Sequence, residues 1–244
     1  MITVVQGRLG SGKSYEMVRC IMEHLNRGGC VRTNISLDYK EIGRSLGRRL
    51  ASWQIGGLSA SDDPTTIPTG DRRGRGSRRT WVVLDEALNW FAADTESGKG
   101  ARKTWGEWLR QSDKLGQDVF FIAQDFSRAS KWIRELAASV WDIVPTKRLR
   151  VMWFIPAWIF FPPFLRGYFV RRLDCRTASI IGIEFHIYSP AVYRYYDTSE
   201  TFGFVGARSA YEYGTLAPPF RLPSVPLVVS LVFLFGTVIL LIVT

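Results

Sequence analysis

Eight consecutive residues near the start of the chain have the types and the spacing of a phosphate-binding loop. They are Gly7, Arg8, Leu9, Gly10, Ser11, Gly12, Lys13 and Ser14. They match the pattern G-x-x-x-x-G-K-[ST] at every fixed position, with an apolar run at residues 2–6 before them and a possible helix at 15–25 after them. A glycine-rich turn without a ligand does not account for this strand–loop–helix setting. The sequence therefore predicts a nucleoside triphosphate site.

The residue types of this loop suit a polyphosphate. Glycine adopts a positive φ readily and lets the backbone approach a ligand, and the amides at the start of the following helix attract anions. We expect Lys13 to reach the β- and γ-phosphates of ATP and the Ser14 hydroxyl to bind Mg²⁺. The residues predicted to bind the cofactor are Gly7, Gly10, Ser11, Gly12, Lys13, Ser14 and Tyr15.

Two adjacent carboxylates end an apolar run in the middle of the sequence. Residues 81–84 are followed at once by Asp85 and Glu86, as at the functional edge of a buried parallel strand. We expect Asp85 to hold the Mg²⁺ shell and Glu86 to polarise the attacking water as a general base. The alternative is a strand followed by the acidic first turn of a helix. The phosphate loop upstream favours the first interpretation.

Two further groups are candidates for a part in hydrolysis. The apolar run 119–123 ends at Gln124, which we expect beside the acidic strand, where an amide can sense the γ-phosphate or orient water; the alternative is an ordinary polar strand end. An arginine from a neighbouring subunit often stabilises the developing charge, and Arg128 is the first candidate, ahead of Arg110 and Arg134. The alternative for each arginine is an ordinary surface position. The predicted catalytic set is Lys13, Glu86, Gln124 and Arg128.

The composition limits the classes of protein and of partner. The chain has 244 residues, enough for one large or two small domains. Its 32 Lys+Arg against 22 Asp+Glu give a net charge of +10, which favours anionic partners such as nucleotides, nucleic acid or lipid headgroups. The three cysteines have no metal-ligand or disulfide-framework spacing, which is typical of a reducing cytosol. Residues 71–79 form a basic loop that either contacts nucleic acid phosphates or is simply solvated.

The far end of the sequence predicts a membrane span. Residues 227–243 contain no charge, and with residues 225–226 they make a helix of about 19 residues, or roughly 28 Å, which can cross a bilayer core. A buried globular helix without a polar face is the less favoured alternative. Because an ATP-binding domain must face the nucleotide pool and no signal peptide precedes the loop, we expect the N-terminal domain in the cytoplasm. Whether a periplasmic domain follows residue 244 stays open.

The remaining segments complete the predicted organisation. We predict strands at residues 30–34, 140–145, 180–188 and 191–196, helices at 37–50, 101–115 and 130–139, and a loop at 56–79. Residues 151–165 are uncharged and aromatic, which suits either an interfacial element beside the membrane or a core strand with a subunit-contact loop. The predicted fold is an α/β P-loop NTPase with a mainly parallel sheet at residues 1–148. A small aromatic, β-rich membrane-proximal extension at 149–224 and one C-terminal transmembrane helix at 225–244 follow it.

Three motifs, in this order, resemble the zonula occludens toxin (Zot) family, which includes the gene I-type assembly proteins of filamentous phages. They are GRLGSGKS at residues 7–14, WVVLDEA at 81–87 and SDKLGQDVFFIAQ at 112–124. The similar stretch runs on through residues 132–136 and the tyrosine-rich residues 193–198. The ordered set, followed by a single span, is more specific than the phosphate loop by itself.

The resemblance implies a host inner-membrane ATPase, single-pass with its N-terminal domain cytoplasmic, that oligomerises and couples ATP hydrolysis to assembly and extrusion of filamentous phage. The implied partners are phage single-stranded DNA with its coating protein, a shorter membrane companion protein, the lipid bilayer, and an outer-membrane secretin channel reached through a part not in this chain. Residues 150–166 are more apolar than a plain cytoplasmic domain would require. The alternative is a non-hydrolysing, membrane-tethered binding or toxin-like protein of the same family. A DNA-translocating pump would need a DNA-binding module, which these residues do not indicate.

Overall fold

Continuous apolar runs of the sequence become the strands of one sheet in the computed structural model of the protein. The structure describes residues 1–59, 62–72, 78–86, 96–125, 131–146, 150–151, 155–156, 167–177 and 179–196. Its strands are β1 (Ile2–Gln6), β2 (Cys30–Thr33), β3 (Ile55–Gly57), β4 (Thr80–Leu84), β5 (Gln117–Ala123), β6 (Ser139–Pro145), β7 (Arg150–Val151), β8 (Ile155–Pro156), β9 (Gly167–Asp174) and β10 (Ile180–Ile187). Within the described residues, eight strands form one sheet in the order β10-β9-β6-β1-β5-β4-β2-β3, and β7 pairs with β8 in a second sheet.

The strand order brings three strand ends to one edge of the sheet. The strands from β6 to β3 in that order are parallel, whereas β9 and β10 continue the sheet antiparallel beyond β6. β5 lies between β1 and β4, so that Gln6 pairs with Ala123, and Leu84 pairs with Phe121. The carboxyl ends of β1, β4 and β5 therefore meet at what is here called the carboxyl edge, where ligands of such sheets bind.

Helices pack on both faces of this sheet. They are α1 (Lys13–Asn26), α2 (Tyr39–Ser45), α3 (Glu96–Gln111) and α4 (Lys131–Leu136), with 3₁₀ turns at Pro64–Thr66 and Val192–Arg194. α2 begins after Asp38, whose carboxylate accepts the backbone N–H groups of Lys40 and Glu41. α1 begins directly after the glycine-rich loop and so carries the last two loop residues in its first turn.

Neighbouring residues of β1 face two separate cores. Val5 packs in the cluster that contains Val18 of α1, and Val4 packs in the cluster that contains Trp105 of α3 and Ile133 of α4. All five side chains are buried. This two-sided burial explains why the central strands are apolar without alternation. Burial of each such side chain stabilises the fold by about 1.5–3 kcal/mol. The central strands therefore hold the residues at their ends in fixed positions.

Most of the predicted elements are confirmed, with shifted ends. The predicted strands at 30–34, 140–145 and 180–188 correspond to β2, β6 and β10, and the helices at 101–115 and 130–139 correspond to α3 and α4. The predicted α/β fold with a mainly parallel sheet is confirmed as well. The helix predicted at 37–50 is shorter, because it begins after the Asp38 cap and ends before Gly47, which has a φ of 64°.

Three local predictions are wrong or incomplete. The strand predicted at 191–196 is a 3₁₀ turn, because Val192 and Tyr195, three residues apart, are the buried pair that packs against the α1 side of the sheet. The loop predicted at 56–79 contains part of β3 and the 3₁₀ turn Pro64–Thr66. β9 was not predicted, since Arg171 and Arg172 interrupt its apolar pattern.

The segments predicted to lie near the membrane are only partly described. β9 and β10, from the β-rich extension predicted at 149–224, join the main sheet through β6. Most of the aromatic run 151–165 and the predicted span 225–244 lie outside the described residues, as does Arg128. Within the residues that the structure describes, no helix combines the length and the apolar character needed to cross a bilayer.

Candidate nucleotide-binding site

The chain turns sharply between β1 and α1, and glycines make this turn possible. Gly10 and Gly12 have φ values of 68° and 93°, in the left-handed region that side chains disfavour. A Cβ atom on Gly7 would lie 2.5 Å from Ser11 Oγ and 2.8 Å from the carbonyl oxygen of Ile143. The loop is therefore curled so closely that only glycine fits at its start.

The start of α1 supplies backbone donors to this loop. Gly12 occupies the N-cap position, and the Glu16 N–H donates to the Gly12 carbonyl at 2.9 Å as the helix begins. The amides of Lys13, Ser14 and Tyr15 precede that first helical bond, so helix geometry gives them no acceptor within α1. With the positive end of the helix dipole, they form a cradle that suits a phosphate group.

Lys13 folds back over the same loop. Its Nζ donates to the carbonyl oxygens of Gly7 at 2.8 Å and Arg8 at 3.3 Å. The ammonium group thus adds a full positive charge to the partial charges of the helix start. The loop combines donors and positive charge in one place, and this combination fits a polyphosphate.

A hydrogen bond joins the phosphate loop to the acidic strand end. Ser14 Oγ donates to Asp85 Oδ2 at 2.7 Å, and Asp85 Oδ1 accepts the backbone N–H of Glu86 at 2.8 Å. Hydroxyl and carboxylate oxygens are the ligands that Mg²⁺ prefers in proteins. The pair predicted to hold the metal, Ser14 and Asp85, therefore lies together, and its donor set fits Mg²⁺.

Asn34 clamps the backbone of Asp85, and the sequence analysis did not identify it. Its Oδ1 accepts the Asp85 N–H at 2.7 Å, while its Nδ2 donates to the Asp85 carbonyl at 2.9 Å. Asn34 follows β2 directly, and β2 is the neighbour of β4, with Thr33 paired to Val83. A polar residue at the end of a neighbouring parallel strand is the signal that could have identified it.

Glu86 and Gln124 complete the carboxyl edge. Glu86 is half-buried and has a φ of 52°, the left-handed conformation that costs a non-glycine residue about 1–3 kcal/mol. Its neighbour Asp85 is held by the Asn34 clamp, so the surrounding structure maintains this conformation. Gln124 is exposed directly after β5, and β5 pairs with β4, as predicted. Both side chains thus follow adjacent strands at the edge that carries the phosphate loop.

The remaining predicted site residues include buried side chains, exposed side chains and one residue that the structure does not describe. The Tyr15 side chain is buried among the rings of Tyr168, Tyr188 and Tyr193, so its backbone amide is the part that faces the loop. The Ser11 side chain is buried too. Arg110 on α3 and Arg134 on α4 are exposed, while Arg128 lies outside the described residues. The candidate arginines stay predictions.

A buried carboxylate in the first turn of α1 connects the loop to β9. Glu16 is fully buried and accepts Arg19 Nε at 2.8 Å and Nη2 at 2.7 Å, together with the hydroxyl of Tyr168. Burial raises the pKa of Glu16, but the bonds from Arg19 and Tyr168 outweigh this effect, so the pKa lies below its ordinary value. Burial and the neighbouring carboxylate raise the pKa of Tyr168. Glu16 thus stays ionised and ties α1 to the antiparallel strands.

The comparison with known families decides which family this sequence represents. The family model described as zonular occludens toxin (Zot) matches residues 1–148, more than half of the chain. The chain belongs to the Zot family. The resemblance that the motifs indicated is thereby confirmed, and the Zot-family match covers the phosphate loop, the acidic strand end and Gln124.

Relatives of this Zot-family chain include phage proteins. It is 34% identical over 151 residues to the Gene 1 protein of Enterobacteria phage I2-2 and 32% identical over 151 residues to that of Salmonella phage IKe. Each alignment covers 61% of this chain and 40% of the relative, so the chain spans less than half the length of these relatives. The crystal structure of the N-terminal domain of zonular occludens toxin from Neisseria meningitidis is 16% identical, with a TM-score of 0.44, covering 80% of this chain and 98% of that one.

Proposed function

We propose that this Zot-family chain is an ATPase that binds ATP and Mg²⁺ at the carboxyl edge. The observation that carries the proposal is the 2.7 Å hydrogen bond from Ser14 Oγ to Asp85 Oδ2. This bond joins the phosphate loop to the acidic strand end, although β5 separates β1 from β4 in the sheet. A chance glycine-rich turn has no reason to meet a carboxylate 71 residues away along the chain.

Each residue of the site has a defined task in this proposal. The amides at the start of α1 and the Lys13 ammonium bind the phosphates, and Ser14 and Asp85 hold the metal. A bound Mg²⁺ would neutralise negative charge on the phosphate oxygens. Glu86 takes a proton from the attacking water, and Gln124 orients that water from the adjacent strand end.

We further propose that hydrolysis drives the assembly and extrusion of filamentous phage. Membership of the Zot family and the phage origin of the Gene 1 relatives support this assignment. The proposed partners are phage single-stranded DNA with its coating protein, a shorter membrane companion protein, and an outer-membrane secretin channel contacted by a part of the protein outside this chain. The net charge of +10 suits polyanionic partners.

Anchoring in the host inner membrane belongs to the same proposal. The uncharged residues 227–243 supply a single span, which leaves the ATPase domain in the cytoplasm, where ATP is available. A motor can move its cargo only if the motor itself is held in place. In this proposal the membrane span holds the ATPase domain in place.

The outer strand of the sheet supports self-association of this chain. Within the described sheet β10 is an edge strand, and Ile183 and Ile187 are 51% and 49% exposed. If two copies of β10 pair antiparallel about Phe185, Ile183 of one copy lies opposite Ile187 of the other, and Glu184 lies opposite His186. If the two-fold axis instead passes through Glu184, which shifts one strand by two residues, the two Glu184 carboxylates lie opposite each other. Of these two registers, the one centred on Phe185 is therefore the complementary one.

An ATPase assay tests the proposed function. The full chain in detergent should hydrolyse ATP only with Mg²⁺. Glu86→Gln should reduce kcat at least 100-fold, because a general base contributes about 10²–10⁴ in rate. Lys13→Ala should reduce kcat to a similar extent, because it removes a positive charge that stabilises the phosphates. Matched controls are Lys114→Ala and Glu107→Gln, which make the same changes at exposed positions of the structure. These controls should keep wild-type rates.

Release of virions tests the motor role separately. Cells in which Lys13→Ala or Glu86→Gln replaces the wild-type chain should release no filamentous phage, whereas cells with either control variant should release it normally. Nucleotide binding by the wild type without any hydrolysis would favour the non-hydrolysing alternative. Normal phage release by the hydrolysis-deficient variants would refute the motor role.

A further inference from the structure

Residues 188–196, here called the tyrosine strap, cross α1 at the phosphate loop. The hydroxyl of Tyr188, the first residue after β10, donates to the carbonyl oxygen of Ser11 at 3.2 Å. A Cβ atom on Gly12 would lie only 2.8 Å from Tyr188 Oη and 3.2 Å from its Cε1. The ring of Tyr188 therefore lies directly against Ser11 and Gly12, the two loop residues that precede α1.

The backbone beside Tyr188 is fixed by Tyr15. The Tyr15 hydroxyl donates to the Ser189 carbonyl at 3.2 Å and accepts the Ser189 N–H at 2.5 Å. The rings of Tyr15 and Tyr188 meet edge to face, with centroids 5.1 Å apart. Because Tyr15 is buried in the first turn of α1, these contacts hold the start of the strap against the start of the helix.

The other end of the strap is fixed as well. The N–H of Asp38 donates to the Tyr195 carbonyl at 2.8 Å, and the hydroxyls of Ser45 and Tyr195 lie 2.6 Å apart. Tyr196 forms an isolated antiparallel bridge with Leu37. The strap is thus attached near both of its ends, and the backbone that carries Tyr188 cannot leave the loop without breaking these contacts.

We propose that Tyr188 is a positioning residue for the phosphate loop. In a trans peptide the C=O of Ser11 and the N–H of Gly12 point in opposite directions. The bond from Tyr188 directs this carbonyl outward, so the Gly12 N–H points to the interior of the loop, toward the cradle. Gly12 has no side chain to restrict its φ, so an external contact is needed to keep this peptide in one orientation. The inference rests on the proposed function, in which the loop binds ATP.

Removal of the hydroxyl should weaken nucleotide binding and leave the chemistry intact. Tyr188→Phe keeps the ring and loses the neutral hydrogen bond to Ser11, so we expect the affinity for nucleotide to fall about fivefold. The groups that act on water and metal are untouched, so KM for ATP should rise about fivefold while kcat stays within a factor of two. A residue that merely stabilises the fold would not produce this split.

The experiment compares three full-length chains in detergent: the wild type, Tyr188→Phe and Tyr193→Phe. Tyr193 is the matched control, because its ring also packs on Tyr15, with centroids 5.0 Å apart. Dissociation constants are measured with the non-hydrolysable β,γ-methylene analogue of ATP, together with KM, kcat and the thermal unfolding temperature. Tyr193→Phe should match the wild type in affinity, and all three chains should unfold at similar temperatures.

The outcomes separate this inference from the proposed function. If the wild type binds the analogue and Tyr188→Phe binds it equally well, Tyr188 does not position the loop. A lower unfolding temperature for Tyr188→Phe with unchanged affinity would show a contact that only supports the fold, and it would overturn the inference too. If the wild type itself binds no nucleotide, the proposed function fails, and the positioning role fails with it.

Discussion

Replacing Asn34 with alanine should disturb the acidic strand end without touching the phosphate loop. Asn34 accepts the Asp85 N–H at 2.7 Å and donates to the Asp85 carbonyl at 2.9 Å. Both bonds hold the backbone of the residue that accepts the Ser14 hydroxyl, and the next residue, Glu86, has a φ of 52°. The substitution removes both bonds at once and leaves both carboxylates in the chain.

The size of the effect follows from these two bonds. Each contributes about 1 kcal/mol, so together they favour the observed backbone of Asp85 by about 2 kcal/mol. The left-handed conformation of Glu86 costs about 1–3 kcal/mol, which makes this support necessary. Loss of about 2 kcal/mol reduces the population of the active arrangement roughly 30-fold. We therefore expect kcat/KM for ATP to fall about 10- to 30-fold and the free energy of unfolding to fall by about 2 kcal/mol.

Steady-state ATP hydrolysis and urea unfolding of the full chain measure these two quantities. Asn26→Ala is the control, because Asn26 is exposed at the last position of α1 and should leave both values unchanged. If Asn34→Ala loses stability but keeps the wild-type kcat/KM, the clamp supports the fold and does not position the acidic residues. Wild-type values of both quantities would refute the reasoning altogether.

Two further substitutions test the buried carboxylate and the outer strand. Glu16→Gln should lower the free energy of unfolding by about 3 kcal/mol at pH 7, since it removes the buried one of the two carboxylates that pair with Arg19, whereas Glu23→Gln, which removes the exposed one, should cost less than about 1 kcal/mol. The pKa of Glu16 is lowered in the folded chain, so ionised Glu16 should stabilise the fold fully above pH 4.5, and this stabilisation should disappear as the pH falls through the folded pKa. A difference in unfolding free energy between the wild type and Glu16→Gln that does not change with pH would contradict this. Ile183→Lys should weaken self-association measured by light scattering across a concentration series, while Trp53→Lys, which adds the same charge to an exposed apolar residue outside β10, should not. Equal masses for Ile183→Lys and the wild type at every concentration would refute pairing through β10.

Much of the candidate site was predictable because its chemistry is local in sequence. The loop from Gly7 to Ser14 needs particular residue types at fixed short spacing, and these can be identified without knowledge of the rest of the fold. The same holds for Asp85 and Glu86, which follow an apolar run directly. The position of Gln124 beside the acidic strand was inferred from the same pattern of apolar runs, and the pairing of β4 with β5 confirms that placement.

The missed residues depend on contacts between distant parts of the chain. Asn34 matters because β2 lies beside β4, and Tyr188 matters because β10 ends near the phosphate loop. Glu16 looks like an ordinary acidic residue in the first turn of a helix, yet it is fully buried against Tyr168 of β9. The strand predicted at 191–196 is wrong for the same reason, because tertiary packing of Val192 and Tyr195 selects a turn there. Apart from the polar strand end at Asn34, no local pattern distinguishes these roles.

The amino-acid sequence by itself determined the phosphate loop, the acidic pair and the apolar strands, because backbone conformation and short-range chemistry are encoded within a few neighbouring residues. Only the tertiary structure decided which strands lie side by side. The insertion of β5 between β1 and β4, the clamp of Asn34 on Asp85 and the passage of the tyrosine strap over α1 all follow from that order. Strand order depends on long-range packing of the two cores, so it cannot be deduced from the spacing of residues along the chain.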